Sequence, residues 1–249
     1  MASCLVGSEM CIRDSISNDP ISQRDINKVL ELTQGIALPP DRDILHTIPQ
    51  EFIVDTLEKI DNPIGLSGRR LEGHVHLVTA STSGMENLIE SAEELGININ
   101  GLVFKPLASA ISTLTKDEMK LGVSLIDIGS TTTSIAVFNE GAVRHSAVIP
   151  VGSSSITNDI AVMLRISIEE AEKIKIKYAS AKASLSSQKL EFEIPNSQDN
   201  QMISENELSQ YVEARMEEIF QLALNEIKRG GIDNNLTYGV VLTGGGSQL

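Results

Sequence analysis

Apolar and polar positions along residues 16–249 switch between helical and strand periods, and the switches divide the chain into elements. Ser22 followed by Asp25 marks a helix start, and Ile26, Val29, Leu30 and Leu32 give that helix an apolar stripe as far as Gly35. Pro39 and Pro40 end it. Residues 44–55 and 69–79 alternate at period two and predict strands, with Asn62-Pro63 and Gly65 marking a loop between them. These elements predict a small α+β unit. Ser83 with Glu86 has the pattern of a capping box, opening a helix with Met85, Leu88, Ile89, Ala92 and Leu95 on one face and Gly96 at its end. Residues 102–104 predict a short buried strand, and Pro106 the first turn of a helix over PLASAISTL.

Strands are predicted at 121–127, 132–138 and 142–150, joined by tight turns into an antiparallel meander. The chain then turns helical from Ile156. Ser167 and Glu170 form a capping box, and Glu169 with Lys173 a helix-stabilising pair. Leu190, Phe192 and Ile194 alternate as a strand, and residues 195–201 read as a polar loop. A long helix begins at Ser204, boxed by Glu207, and closes on Lys228, Arg229 and Gly230. A last strand, TYGVVLTG, runs into Gly244-Gly245-Gly246. The whole reads as α/β.

The opening fifteen residues, MASCLVGSEMCIRDS, share no period with the rest of the chain. They are similar to short peptides that arise when non-native sequencing DNA is translated onto a predicted gene, or else form a disordered native tail. Residues 1–15 are therefore expected to stand outside the fold. Both cysteines, Cys4 and Cys11, fall within them, so the remainder carries no disulfide framework and no thiolate metal site. That usage fits a reducing cytosol.

Composition narrows the function classes. A chain of 249 residues has ample material for a core. Its net charge of −14 opposes binding to a phosphate backbone, and the absence of Trp with few other aromatics disfavours a stacking platform for single strands, so no nucleic-acid partner is expected. No apolar run reaches the length of a membrane-spanning helix, and no secretory signal is legible.

Two glycine-bearing turns carry candidate chemistry. In LIDIGSTTTSIAVF, residues 125–138, the turn from Gly129 to Thr133 can leave several backbone N–H groups pointing one way. Such a nest binds an anion, and the hydroxyls of Ser130, Thr131 and Thr132 add donors. Asp127 cannot bind phosphate directly, but it can hold a Mg²⁺ through water, and that metal neutralises phosphates. The competing reading is a hairpin whose threonines suit a β environment. Over a hundred residues later, Gly244, Gly245 and Gly246 permit a close approach of backbone to a ligand, or simply connect a strand to a helix. Together the turns suggest two sides of one nucleotide cleft. Between them, Glu172 and Lys175 of AEKIK are three apart on a helix face. The carboxylate can accept from ribose hydroxyls while the ammonium approaches the adenosine edge; the alternative is a solvated surface pair.

These residues resemble the FtsA family, the bacterial actin homologues of the cell-division ring within the actin, Hsp70 and sugar-kinase superfamily. The sharpest matches are IPQEF at 48–52, NPIGLSGRRLEGHVHLVT at 62–79, PLAS at 106–109, VIPVG at 148–152, ITNDIA at 156–161, EEAEKIKIKYASA at 169–181 and VVLTGGGSQL at 240–249. The resemblance implies a partial actin-like ATPase fold. Residues 16–80 would be part of the family-specific α+β subdomain 1C, 81–118 part of 1A, 119–155 with 236–249 part of 2A, and 156–235 subdomain 2B. It implies ATP and Mg²⁺ as ligands. Asp127, Gly129, Ser130, Thr131, Thr132, Glu172, Lys175, Gly244, Gly245 and Gly246 would line the nucleotide, with Asp127 toward the metal. Against the family pattern the chain reads as a fragment, lacking an upstream phosphate hairpin and a downstream amphipathic membrane helix.

The implied role is a cytoplasmic scaffold on the inner membrane at the division site. It would self-associate into filaments, bind the acidic C-terminal peptide of FtsZ, and engage later division proteins through 1C. The membrane would be met only through the helix absent here. Arg165, Lys173 and Lys177, with Lys175, form a basic set on the 2B part that would steer the FtsZ peptide, or else a solvated helix face.

Two departures bear on activity. Ser130 and Thr131 stand where the family commonly has glycine, and Ser134 where it has aspartate. Lys105 stands where Hsp70 and MreB relatives carry the acid that positions water, so hydrolysis is expected to be slow or absent, with no catalytic residue assigned. The rival readings are a catalytic ATPase or small-molecule kinase of the same superfamily, and a pilus-assembly actin homologue. His74 and His76 share a strand face but have no evident third metal ligand, and His46 and His145 have no partner legible in the sequence.

Overall fold

The computed structural model describes residues 5–15, 20–33, 35, 37–194, 202–231 and 236–249. Its elements, in chain order, begin with β1 (Leu5–Ser15), α1 (Gln23–Thr33), β2 (Arg42–Val54), β3 (Leu57–Ile60) and β4 (Arg70–Ser81). There follow α2 (Thr82–Glu93), α3 (Lys105–Thr113), α4 (Lys116–Leu121), β5 (Val123–Ile128), β6 (Thr133–Asn139) and β7 (Ala142–Ile149). The last are α5 (Ser153–Leu164), α6 (Ile168–Tyr178), β8 (Glu191–Glu193), β9 (Met202–Ser204), α7 (Glu205–Arg229) and β10 (Val240–Thr243).

The chain divides into two compact units. The first holds residues 1–124, 136–148 and 230–240, and the second residues 125–135, 149–229 and 241–249. Two four-stranded sheets organise them, in the orders β1-β4-β2-β3 and β10-β5-β6-β7. The links of 129–132 and 140–141 are too short for a crossover, so β5, β6 and β7 neighbour one another as a meander.

In the first unit, β4 is the central strand. It pairs antiparallel with β2 from Arg42↔Ser81 to Val54↔Leu71, with bulges at Ile44/His46 and Pro49/Glu51. Proline cannot donate to a ladder, which accounts for the irregularity at Pro49. The other side of β4 takes β1, from Leu5↔Thr79 to Ser15↔Arg70. Residues 5–15, which share no period with the rest of the chain, thus form an edge strand of this sheet. A ladder is made of backbone groups and needs no side-chain period, and β4 offers an open edge. Residues 1–4, with Cys4, lie outside the described residues.

Helix α1 opens as the sequence predicts: Ser22 donates to Asp25 Oδ2 from both its N–H and its hydroxyl, at 2.8 and 2.7 Å. Its Ile26 and Val29 pack with Ile21, Phe52, Val54 and Leu71 into the core, Leu30 lies against it, and Leu32 is exposed. Gly73 packs closely there, since a Cβ would stand 3.2 Å from Val29 Cγ1.

Two local expectations are corrected in this unit. The N-cap of α2 is Ser81, which accepts from the Gly84 N–H at 3.3 Å, rather than a Ser83–Glu86 box; the strand β4 runs on to Ser81 and sets the start. Residues 102–104 form no strand, and Val103 is 65% exposed. The Phe104 N–H instead donates to His46 Nε2 at 2.9 Å, which also gives His46 a partner. A true capping box exists at Thr115–Glu118, opening α4.

The second unit holds α5, α6 and α7 packed on one another. Along α7, Leu208, Val212, Met216, Ile219, Ala223 and Ile227 are buried at helical spacing. The Ser167–Glu170 box opens α6, and Glu169 pairs with Lys173 at 2.8 Å. Phe192 of β8 is buried and stacks on Tyr178, with ring centroids 4.1 Å apart. The polar loop expected at 195–201 lies outside the described residues.

Candidate functional site

The site is built on β5, every residue of which is buried. Its apolar side chains anchor the strand and leave Asp127, only 4% exposed, beside its C-terminal end. Beyond it the turn closes with the Gly129 N–H donating to the Thr132 carbonyl at 2.9 Å. Ser130 and Thr131 are exposed and Thr132 half-buried, so their hydroxyls stand at the surface of the turn.

The turn sits on the start of α5. The Ser153 N–H donates to the Gly129 carbonyl at 2.9 Å, and the Ser154 N–H to the Ser130 carbonyl at 2.8 Å. Two of the four unpaired donors of a helix N-terminus are thereby satisfied. Thr133 adds a side-chain bond to the Val151 carbonyl at 2.8 Å. The approach demands Gly152, where a Cβ would lie 2.4 Å from the Ser130 oxygen and 2.6 Å from that of Gly129. The helix therefore supports the turn, and the exposed Ser130 and Thr131 with the half-buried Thr132 lie at its surface.

The glycine triplet comes to the same place. A Cβ on Gly244 would lie 2.6 Å from Asp127 Oδ1 and 2.5 Å from the Ile128 oxygen, and one on Gly246 would lie 2.5 Å from Ile128 Cγ2. Gly244 also has φ +89°. Gly245 has no neighbour within 4 Å of such an atom. Residues 245–248 then turn as a short 3₁₀ helix, with Ser247 Oγ donating to the Gly244 carbonyl at 2.7 Å. The glycine triplet, far away in sequence, thus lies against the end of β5 that leads into the hairpin turn.

Glu172 and Lys175 belong to α6. They are not a solvated pair: Lys175 is 5% exposed. Its Nζ donates to Glu172 Oε2 at 2.7 Å, to Thr157 Oγ1 at 2.9 Å and to the Ser153 carbonyl at 3.4 Å. Thr157 Oγ1 in turn donates to Glu172 Oε2 at 2.5 Å. Burial pushes the Glu172 carboxyl up, but the hydrogen bonds from Lys175 and Thr157 and the attraction of the Lys175 charge outweigh it and hold the group below its usual range. Ser153, which receives Lys175 through its carbonyl, gives its N–H to Gly129. The α6 pair and the hairpin turn are thus tied to one helix start.

The exposed turn hydroxyls, a carboxylate beside them and glycines at the closest approaches suit a phosphate chain with a cation. Among the described residues no group of three or more His, Cys, Asp or Glu side chains could hold a metal by itself. A Mg²⁺ would therefore take Asp127 through water and draw its remaining oxygen ligands from phosphate, which is the usual manner for that ion.

The basic set separates. Lys175 leaves it, being buried and bonded to Glu172 and Thr157. Arg165 ends α5 with φ +55°, Lys173 pairs with Glu169, and Lys177 lies 4.8 Å over the Tyr178 ring. A groove of about 780 Å³ was not legible in the sequence; it is lined by Asp159, Val162, Met163, Tyr211, Arg215 and Glu218, among others, from α5 and α7. Arg215 donates to both carboxylate oxygens of Asp159, at 2.7 and 3.0 Å, and also bonds Glu218. The spacing of Tyr211 and Arg215 on one face of α7 was the available signal, and the polar stripe reads as solvated surface without α5 opposite.

Lys105 is the first residue of α3 and is exposed, with Pro106 in the first turn. His74 Nδ1 lies 3.1 Å from Glu51, and His76 Nε2 lies 2.9 Å from Ser146 Oγ. Each histidine thus has a protein partner.

A family model described as cell division protein FtsA matches residues 124–249, and one described as the SHS2 domain inserted in FtsA matches residues 12–79. The chain belongs to the FtsA family. It is 40% identical over 237 residues to the cell division protein FtsA of Pseudomonas aeruginosa, covering 94% of this chain and 57% of that protein. Against the Escherichia coli FtsA the identity is 34% over 243 residues, covering 94% and 58%. The chain thus spans somewhat more than half the length of these family members. Among solved structures it is similar to a PilM–PilN type IV pilus biogenesis complex, with TM-score 0.59 and 16% identity, covering 99% of this chain and 60% of the other. It is also similar to MreB5 of Spiroplasma citri bound to AMPPNP, with TM-score 0.56 and 21% identity, covering 68% and 55%. These likenesses establish a partial actin-like α/β fold. At 16% identity the pilus protein shares that fold, while the family match sets the chain with the cell-division proteins. No helix among the described residues is long and apolar enough to cross a membrane.

Proposed function

We propose that the chain is the nucleotide-binding part of an ATP-dependent division scaffold, with ATP and Mg²⁺ held between the turn at 129–132 and the glycines at 244–246. The observation that carries this is the contact of Gly244 with Asp127 and Ile128, which brings two distant turns to one strand end. Ser130, Thr131 and Thr132 take the phosphates, Asp127 the hydrated cation, and Glu172, held in place by the buried Lys175, the sugar side. The AMPPNP carried by the MreB5 neighbour supports the choice of an adenine nucleotide. Bound Mg²⁺ would neutralise phosphate charge, and the chain's own part is to position that charge rather than to activate water, with Lys105 in place of an acid.

The subdomains are assigned as 16–80 for 1C, supported by the match over 12–79; 81–118 for 1A; 119–155 with 236–249 for 2A; and 156–235 for 2B. The scaffold links FtsZ filaments to the cytoplasmic face of the inner membrane, self-associates, and meets later division proteins through 1C. The α5–α7 groove supports 2B as the place of the FtsZ C-terminal peptide, with Arg165, Lys173 and Lys177 steering it.

Equilibrium binding of ATP in the presence and absence of Mg²⁺ tests the first claim. Saturable binding that weakens at least tenfold in Asp127→Ala with Mg²⁺, but little without it, is expected. Equal affinity in the two proteins under both conditions would reject the assignment. Capture of an FtsZ C-terminal peptide at low salt tests the second, and folded protein that retains none of it would count against the linkage.

A further inference from the structure

The Thr157 hydroxyl occupies an unusual position. Thr157 is buried, on the second turn of α5, and its Oγ1 lies between Lys175 Nζ at 2.9 Å and Glu172 Oε2 at 2.5 Å. Lys175 meets three acceptors, namely Glu172 Oε2, Thr157 Oγ1 and the Ser153 carbonyl. An ammonium has three N–H donors, so the cluster satisfies it in full. Both bonds to the Glu172 carboxylate fall on Oε2. The side chain is nevertheless 44% exposed, and among the described residues no hydrogen bond takes Oε1.

A carboxylate on a flexible glutamate side chain has many rotamers, and binding a hydroxyl with it ordinarily requires ordering it first. Two bonds to one oxygen, from an ammonium and a hydroxyl that are themselves buried, remove that freedom beforehand. They fix where the carboxylate lies and which oxygen stays available, since both bonds fall on Oε2. The threonine is set on α5, whose first N–H groups hold Gly129 and Ser130, so the Oε1 position is referenced to the phosphate turn.

We propose that Thr157 is a positioning residue for sugar recognition, holding Glu172 so that Oε1 is preset to accept from a ligand's vicinal hydroxyls at a fixed distance from the phosphate turn. The inference rests on the nucleotide reading and deepens it, since it assigns ribose specificity to a residue that does not touch the ligand.

The test is calorimetric binding of three probes to the chain: ATP, 2′,3′-dideoxy-ATP and inorganic triphosphate. In the unaltered chain ATP is expected to bind about tenfold more tightly than the dideoxy nucleotide, the scale of one hydrogen bond to a charged acceptor. Thr157→Val, which keeps the branched outline but removes the hydroxyl, should shrink that ratio below about threefold while leaving dideoxy-ATP and triphosphate within about twofold. Thr157→Ser should restore the ratio. Thr157→Ala removes the same hydroxyl without branched bulk and gives the same reading if the valine variant does not fold. A ratio unchanged in the hydroxyl-less variants, or an equal loss for all three probes, overturns the positioning role while the nucleotide site stands. An unaltered chain that binds none of the probes overturns the nucleotide reading and this inference with it.

Discussion

Replacing Gly244 by alanine is the sharpest perturbation of the site, because the structure opposes a side chain there on two independent grounds. The backbone at φ +89°, ψ 164° lies in a region essentially confined to glycine, and holding an L residue there costs about 1–3 kcal/mol. The new methyl would also meet the Ile128 oxygen at 2.5 Å and Asp127 Oδ1 at 2.6 Å, neither of them the end of a long flexible side chain. Relieving such overpacking adds about 1–3 kcal/mol. A total near 3 kcal/mol is a large share of the ~5–15 kcal/mol that holds a domain together. With a urea slope of about 2–3 kcal/mol/M, the unfolding midpoint followed by circular dichroism should fall by about 1 M or more. Gly245→Ala is the internal control. It adds the same methyl one residue away, at ordinary φ and with nothing within 4 Å, so its midpoint should shift by less than about 0.5 kcal/mol equivalent. Gly246→Ala meets the Ile128 side chain at 2.5 Å and the Ile128 oxygen at 3.1 Å, at ordinary φ, and should fall between them. Equal losses for Gly244→Ala and Gly245→Ala would show that the triplet does not pack on β5 as described.

Three further outcomes rest on particular contacts. Burial, with a smaller push from the nearby His145, lowers His76 to about 4. Between pH ~6.5 and ~4 the unfolded chain therefore holds a proton that the folded chain does not, so stability should fall with falling pH by up to ~1.4 kcal/mol per unit. Urea midpoints compared from pH ~7 to ~5, above the carboxylate range, should lose that slope in His76→Gln, and an unchanged slope would contradict the assignment. Ser167→Ala removes the hydroxyl half of the α6 capping box and should lower stability by about 1 kcal/mol, read from the same urea curves, with no effect expected from Ser187→Ala, which holds only loop N–H groups. Arg215→Ala breaks the bond to Asp159, but both side chains are about a third exposed, so solvent screening should keep the stability change below about 1 kcal/mol in a thermal melt; a loss above ~2 kcal/mol would mean that the pair bears on folding.

Local rules were legible wherever the decisive partner lies a few residues away. The Ser22–Asp25 and Ser167–Glu170 starts, the Ser204–Glu207 contact at the start of α7 and the Glu169–Lys173 pair all appear as the pattern predicts, because three- and four-residue spacing brings those groups together in any helix. Reading failed where the partner was remote. Ser83–Glu86 has the letters of a capping box, but β4 continues to Ser81 and the cap falls there. Residues 102–104 look like a strand, yet the Phe104 N–H is taken by His46, more than fifty residues earlier in the chain. Residues 5–15 carry no period, yet their backbone completes a ladder on β4.

The same division holds at the candidate site. The order of residues supplied its vocabulary: an acid, a glycine and hydroxyls in one turn, three glycines in another, and a carboxylate and an ammonium one helical turn apart. Whether those pieces meet was beyond it, since Asp127 and Gly244 approach because β10 lies beside β5 in the sheet. Packing alone makes Lys175 a buried group rather than part of a basic surface, and sets Thr157, mute in the sequence, between it and Glu172. Short-range spacing follows from the geometry of a single helix or turn, whereas contact across a hundred residues depends on how sheets and helices pack, and that is set by the sum of the core.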